Sequence, residues 1–340
     1  MSKLPLVCPP RMSAGAQVGV VSPSSPSAGR FPRRFQRGLD GVEALGWRLK
    51  IGKSALAVTG HTAGDPDERA ADINRMIADP DVSMILATIG GHNSNHLLDA
   101  LDFEGLRRTP KILLGYSDFS AVLLAAYSKT RIVSFLGPAL LPQFGEKGGL
   151  DDYTKDGVLR AVAGKQPIGR IEPSHKIISE LLEWDSRDHR PRRMDPHPGP
   201  WVVQPGHGTG ACIACNLGTL LALAGTQWWP NLDGALLCIE DDEVESPATI
   251  EQMLTQLRQI GVFDAVQGLA VGRFHPAVGL SDRALLGPLL LRNVARRDIP
   301  IIADLDFGHT DPMVTLPLGP LAEVVADEHV TFSILETGVV

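Results

Sequence analysis

Through the first 135 residues, short apolar runs alternate with helix-like stretches, and this alternation constrains the fold more than any other feature. Residues 17–22, 47–51, 84–88, 112–114 and 131–135 read as strands. Residues 34–45 and 65–78 read as amphipathic helices, 95–101 as a short helix, and the apolar run from Phe119 as a further helix. Strands separated by helices pair in parallel through right-handed crossovers. The expected fold class is therefore α/β, with a Rossmann-like parallel sheet in an N-terminal domain over residues 1–165. Ligands bind such sheets beyond the carboxyl ends of the strands. The loops at Ser22, Gly90-Gly91 and Ser117 all lie at those ends.

A chain of 340 residues is long enough for two domains. A second α/β domain is expected over 206–340, with strands at 234–239, 266–271 and 299–303 and helices at 216–223, 247–260 and 285–297. A hairpin is expected from 322–326 and 330–335. The Gly206-His-Gly-Thr-Gly210 stretch reads as a flexible turn; no Gly-Lys-Ser/Thr follows to make it a P-loop. Residues 166–205 are assigned to a linker and substrate-covering loop. Its core, 186–200, is polar, basic and proline-rich, bracketed by Trp184 and Trp201.

A net charge of −7 argues against a nucleic-acid or anionic-membrane partner. No run of eighteen apolar residues suggests a membrane span, and the N-terminus lacks the long apolar core of a signal peptide. Of four cysteines, Cys212 and Cys215 form one C-x-x-C in a small-residue apolar stretch and read as buried thiols. Free thiols fit a reducing cytoplasm.

The apolar run 112–114 ends in Gly115-Tyr-Ser-Asp118 and passes directly into a helix. A serine at a sharp strand-to-helix turn is where an α/β enzyme holds a nucleophile, although Ser-Asp before a helix also serves as an N-cap. Ser117 lacks the second glycine of G-x-S-x-G, since Phe119 stands there. A serine nucleophile needs a base and a group to orient it. His309 follows a strand in a glycine-containing loop, and Glu240 ends the strand 234–239. The neighbours Asp241, Asp242 and Glu243 read either as a solvated acidic turn or as a cation site. Backbone N–H groups of Gly91 and Asp118 are the candidate oxyanion donors. His92 and His96 share a helical spacing, but no zincin pattern surrounds them, and no metal site is expected.

Five ordered motifs carry a resemblance. They are Thr88-Ile-Gly-Gly-His-Asn-Ser-Asn95, Leu114-Gly-Tyr-Ser-Asp118, Phe135-Leu-Gly-Pro-Ala139, Cys238-Ile-Glu-Asp-Asp242 and Asp306-Phe-Gly-His-Thr-Asp-Pro-Met-Val-Thr-Leu-Pro-Leu-Gly319. Together they resemble the LD-carboxypeptidase family of serine peptidases, in the form found in its MccF branch, the microcin C self-immunity proteins. The resemblance implies a nucleophile domain joined to a smaller C-terminal domain of swivelling-barrel type, usually in a homodimer. It implies Ser117 as nucleophile, His309 as general base and then acid, and Glu240 orienting His309, with no metal or organic cofactor. Gly90, Asn93, Trp201 and His275 are the substrate-binding candidates it suggests. Trp201 would stack on a nucleobase, and His275 stands where the branch carries an acidic residue. The implied substrate is a small aminoacyl-nucleotide or peptide conjugate, cut at the amide-type bond beside the amino acid. A murein tetrapeptide is the alternative within the family; a non-catalytic small-molecule binder is the alternative outside it. An unperturbed histidine would make activity fall below a pH of about 6.5.

Overall fold

The computed structural model describes residues 4–340. Five strands of the N-terminal half are β1 (Gln17–Val21), β2 (Arg48–Ile51), β3 (Val82–Ala87), β4 (Ile112–Gly115) and β5 (Ser134–Leu136). They pair in parallel, in the order β5-β4-β3-β1-β2. β3 and β4 are buried almost throughout, as expected of parallel strands covered on both faces by helices. The helix Pro66–Ala78 starts one residue later than the sequence predicts because Asp65 is its cap. The Asp65 carboxylate accepts from Glu68 N–H, and the Glu68 carboxylate accepts from Asp65 N–H.

The connecting segment contains β6 (Gly169–Arg170), a small hairpin of β7 (Lys176–Ile177) with β8 (Asp195–Pro196), and β9 (Trp201–Gln204). The rest of the chain gives β10 (Gly206–Asn216), β11 (Ala235–Glu240), β12 (Gly268–Gly272), β13 (Ile301–Leu305), β14 (Leu316–Leu318), β15 (Leu321–Ala326) and β16 (Val330–Ile334). The second sheet runs β6-β16-β15-β10-β11-β12-β13-β9. Its centre, β10 to β13, is parallel, and both flanks are antiparallel. β14 leaves this sheet and adds an antiparallel edge to the first one, beside β5.

One expectation is corrected. The glycine-rich stretch 206–210 is not a flexible turn but the first half of the long strand β10, paired with β15. Its glycines serve close backbone approach: a Cβ at Gly208 would meet Gln267 O at 2.3 Å, and one at Gly210 would meet Gly234 O at 2.2 Å. Among the described residues no helix is long and apolar enough to cross a membrane. Cys8, Cys212, Cys215 and Cys238 are unbridged.

Candidate active site

Ser117 begins a single 3-10 turn, Ser117–Phe119, that carries the chain from β4 into the helix Ser120–Thr130. Its φ is +59°, a left-handed value rare for a residue with a side chain. Such a turn presents Oγ at the end of the sheet. The next residue locks it in place. The Asp118 carboxylate accepts from Ser24 Oγ–H and from Ser94 N–H (2.8 Å), and Ser94 Oγ–H donates to Asp118 O. The Asp118 backbone N–H has no acceptor among the described residues.

Gly90 and Gly91 follow β3, one strand over. A Cβ on Gly90 would stand 2.6 Å from Ser117 Cβ and 3.2 Å from Asp118 N, so only glycine fits against the serine. Gly91 has φ +131°, a conformation side chains rarely adopt.

Glu240 and His309 come from the second sheet. Glu240 is the last residue of β11 and is fully buried. Two glycines make its niche: a Cβ on Gly272 would lie 3.0 Å from Glu240 Cβ, and one on Gly308 2.7 Å from its Oε2. His309 sits in the loop between β13 and β14. Asp306 anchors that loop through an ion pair with buried Arg273 (2.8 Å) and a hydrogen bond from Tyr153 Oη–H (2.8 Å). His309 Nδ1–H donates to Glu240 Oε2 at 2.6 Å, and Ser117 Oγ–H donates to the neutral ring at Nε2 across 3.0 Å. The Tyr116 ring tilts against the imidazole, with centroids 5.0 Å apart.

Electrostatics favour a charged His309. Burial is the strongest single influence and opposes the imidazolium, but the charge and hydrogen bond of the Glu240 carboxylate, together with Asp242 and Glu243, outweigh it and lift the pKa from 6.5 to about 9. The other Glu240 oxygen has no hydrogen-bond partner among the described residues, so His309 is the carboxylate's main counter-charge. Asp241, the next residue, is pushed up to about 7 by burial and by Glu240. Its carboxylate accepts from Asn216 Nδ2–H (2.8 Å) and Gly218 N–H (3.0 Å). Asp241 therefore ties β11 to the start of the helix Leu217–Ala222.

These groups open into a cavity of about 260 Å³. Gly90, Gly91, Ser117 and His309 line it on one side and Leu181, Leu182 and Trp184 on another. The Arg34 guanidinium sits 4.5 Å from the Trp184 ring centroid, and Phe31 packs edge-on at 5.4 Å.

Three of the substrate-binding candidates, Trp201, His275 and Asn93, do not line this cavity. Trp201 lies outside this cavity, in β9, where it pairs with Ala303 and packs under Arg283 and Gly287. Trp184 is the tryptophan on the cavity wall. His275 is also absent from the wall. Its Nε2–H donates to Ser179 O (2.7 Å) and its Nδ1 accepts from Ala277 N–H (3.1 Å), so it caps a short turn and holds the covering segment. Asn93, at φ +73°, precedes the 3-10 helix Ser94–Ala100 and bonds His61 at 2.8 Å. Sequence reasoning overlooked Arg34, Gln143 and Arg192 on the wall; nothing in their local pattern marks them, because distant contacts bring them there.

A serine, an imidazole and a carboxylate bonded in that order, beside a glycine pair on an α/β frame, suit acyl transfer through a serine ester. The class this fold and site define is that of the serine-type peptidases. Residues 18–137 match the LD-carboxypeptidase N-terminal domain, and residues 209–324 match the LD-carboxypeptidase C-terminal domain, peptidase S66. The chain belongs to the LD-carboxypeptidase family. It is 34% identical over 318 residues to the microcin C7 self-immunity protein MccF of Escherichia coli, covering 93% of this chain and 92% of that one. It is 30% identical over 334 residues to a probable murein peptide carboxypeptidase of Bacillus subtilis, covering 97% and 95%. The structure of MccF in complex with glutamyl sulfamoyl guanosine superposes with a TM-score of 0.91 at 31% identity, over 99% of this chain and all of that one.

Proposed function

We propose that this protein hydrolyses the amide-type bond joining an amino acid to a nucleotide-like group, with Ser117, His309 and Glu240 as its catalytic triad. Neutral His309 takes the Ser117 proton as Oγ attacks the carbonyl carbon. The resulting oxyanion sits at the N–H groups of Gly91 and Asp118, donors fixed in place before the charge develops. The C–N bond then breaks, and His309 returns the proton to the leaving nitrogen. Water, deprotonated by the same imidazole, cleaves the acyl-enzyme and restores Ser117. Glu240 stabilises the imidazolium formed in each half. Trp184 gives a nucleobase a flat surface on the cavity wall.

The observation that carries this reading is the unbroken relay from Ser117 Oγ through His309 to Glu240, at 3.0 and 2.6 Å, opening onto the Trp184 wall. That MccF binds glutamyl sulfamoyl guanosine and aspartyl sulfamoyl adenosine supports the substrate class. In this reading the protein detoxifies microcin C-type compounds in the cytoplasm, as a homodimer; unbridged cysteines agree with a reducing compartment. The second reading, removal of the terminal residue of a murein tetrapeptide, draws support from the murein peptide carboxypeptidase relative.

The test is to incubate the protein with a panel of aminoacyl-sulfamoyl adenosines and with murein tetrapeptide, and to identify products by mass. The free amino acid and the sulfamoyl nucleoside are expected, and Ser117→Ala abolishes their formation. Equal hydrolysis by Ser117→Ala overturns the triad; binding without cleavage by the wild type makes the protein a sequestering one. Cleavage of the tetrapeptide alone moves the function to cell-wall recycling.

A further inference from the structure

We propose that Arg192 is a positioning residue that couples the cover of the cavity to the His309 loop through Asp311. The proposal rests on the triad reading above. Residues 178–192 form the cover and bring Leu181, Leu182 and Trp184 to the cavity wall. Both feet of the cover end on Asp311, two residues beyond His309. At one foot, Ile178 N–H donates to Asp311 O (2.5 Å) and Asp311 N–H donates to Ile178 O (3.2 Å). At the other, Arg192 Nη2–H donates to Asp311 Oδ2 (2.5 Å).

The remaining contacts of this cluster lead to the triad and to the first sheet's domain. Asp311 Oδ1 accepts from Gln143 Nε2 (3.2 Å), which also donates to Tyr116 Oη (3.2 Å), and the Tyr116 ring lies against His309. Arg192 Nε–H donates to Glu146 Oε2 at 2.6 Å. One guanidinium thus spans two carboxylates from different halves of the chain, a task for a planar fork that a lysine cannot match. The side chains of Arg192, Glu146 and Asp311 are only 14%, 12% and 9% exposed, so water screens these pairs little. On the far side lies a second cavity of about 320 Å³, which shares Gln143, Arg192 and Asp311 with the first. The arginine therefore lines both spaces while two ion pairs fix its guanidinium.

Loss of this fork removes the charged restraint on Asp311 and leaves the Ile178 backbone pair and Gln143 to hold it, and a displacement near 1 Å costs a catalytic constellation about 10²-fold in rate. The experiment compares wild type, Arg192→Lys, Arg192→Met, Asp311→Asn and the Met/Asn double variant. For each, kcat and KM are measured on an aminoacyl-sulfamoyl adenosine, together with the rate at which a small fluorophosphonate labels Ser117. That reagent reports triad geometry without needing the cover. Arg192→Met is expected to lower kcat and the labelling rate in parallel, by about 10- to 100-fold. Arg192→Lys recovers part of the loss, and the double variant is no worse than either single one. A raised KM with unchanged kcat and labelling makes Arg192 an anchor of the cover alone and overturns the proposal. Thermal melting checks folding; if Arg192→Met does not fold, Arg192→Lys and Asp311→Asn carry the same readouts. Failure of the triad reading is distinct: wild type resists the fluorophosphonate, or Ser117→Ala still turns over substrate.

Discussion

Ser117 is fixed by backbone, whereas His309 is fixed by charge. On the first sheet, a positive φ, a 3-10 turn and a glycine with no room for a Cβ define where the hydroxyl stands. On the second, a buried carboxylate with one free oxygen draws the imidazole in and raises its pKa to about 9. The contrast teaches that one half of this site is sensitive to shape and the other to protonation. Substitutions that leave volume alone should harm the second half most, whereas added atoms harm the first and reach the second at the Gly272 and Gly308 niche of Glu240.

Glu240→Gln gives the largest effect. It keeps the shape, removes the counter-charge and leaves burial to pull the His309 pKa down; the equivalent change in a Ser-His-Asp triad lowers kcat by about 10⁴-fold. Steady-state kinetics and imidazole NMR titration check both halves of that expectation. Gly90→Ala comes next. Its methyl, 2.6 Å from Ser117 Cβ, pushes the nucleophile off line for a loss of about 10²-fold in kcat, with the His309 titration unmoved. A Gly90→Ala enzyme that shifts the titration instead would dissolve the contrast between the halves.

The pH dependence separates rate from stability. With neutral His309 as base, as the proposed triad requires, wild-type activity is expected to climb about tenfold per pH unit until pH approaches 9, well above the sequence-based expectation near 6.5. Stability runs the other way. A folded-state pKa raised from 6.5 to about 9 gives stabilisation that is full below 6.5 and lost as pH rises through 9. Rate profiles and thermal melts over pH 6 to 10 should therefore slope in opposite directions. The smallest effect is expected on the cavity wall. Trp184→Ala raises KM for an aminoacyl nucleoside by about tenfold, in the range of one lost base stack, while Trp201→Phe leaves KM unchanged.

The meeting of Ser117, His309 and Glu240 was more legible than their surroundings, for a physical reason. Ser117 follows and Glu240 ends a short apolar run that reads as a buried strand, and His309 lies in a loop a few residues past another, so the sheets' topology delivers all three to adjoining ends. The parallel first sheet was legible from the same alternation. What the sequence hid depends on contacts distant in the chain. Trp184 and Trp201 look alike on either side of a proline-rich stretch, yet β9 draws Trp201 under Arg283 while Phe31 and Arg34 hold Trp184 at the cavity. His275 resembles a ligand until its two ring nitrogens are found bonded to backbone. The glycines of β10 mimic a turn because a strand crowded by neighbouring carbonyls also needs residues without side chains.

β14 reaches back from the His309 loop to close the edge of the first sheet, and this gives synthesis of the chain a built-in order. The serine leaves the ribosome 192 residues before its histidine partner. Through that interval Ser117 is a hydroxyl without its imidazole partner, on a sheet whose last strand has yet to be made. The same segment that finishes the first domain delivers the histidine, so on the proposed triad a nascent or truncated chain lacks the base that hydrolysis requires.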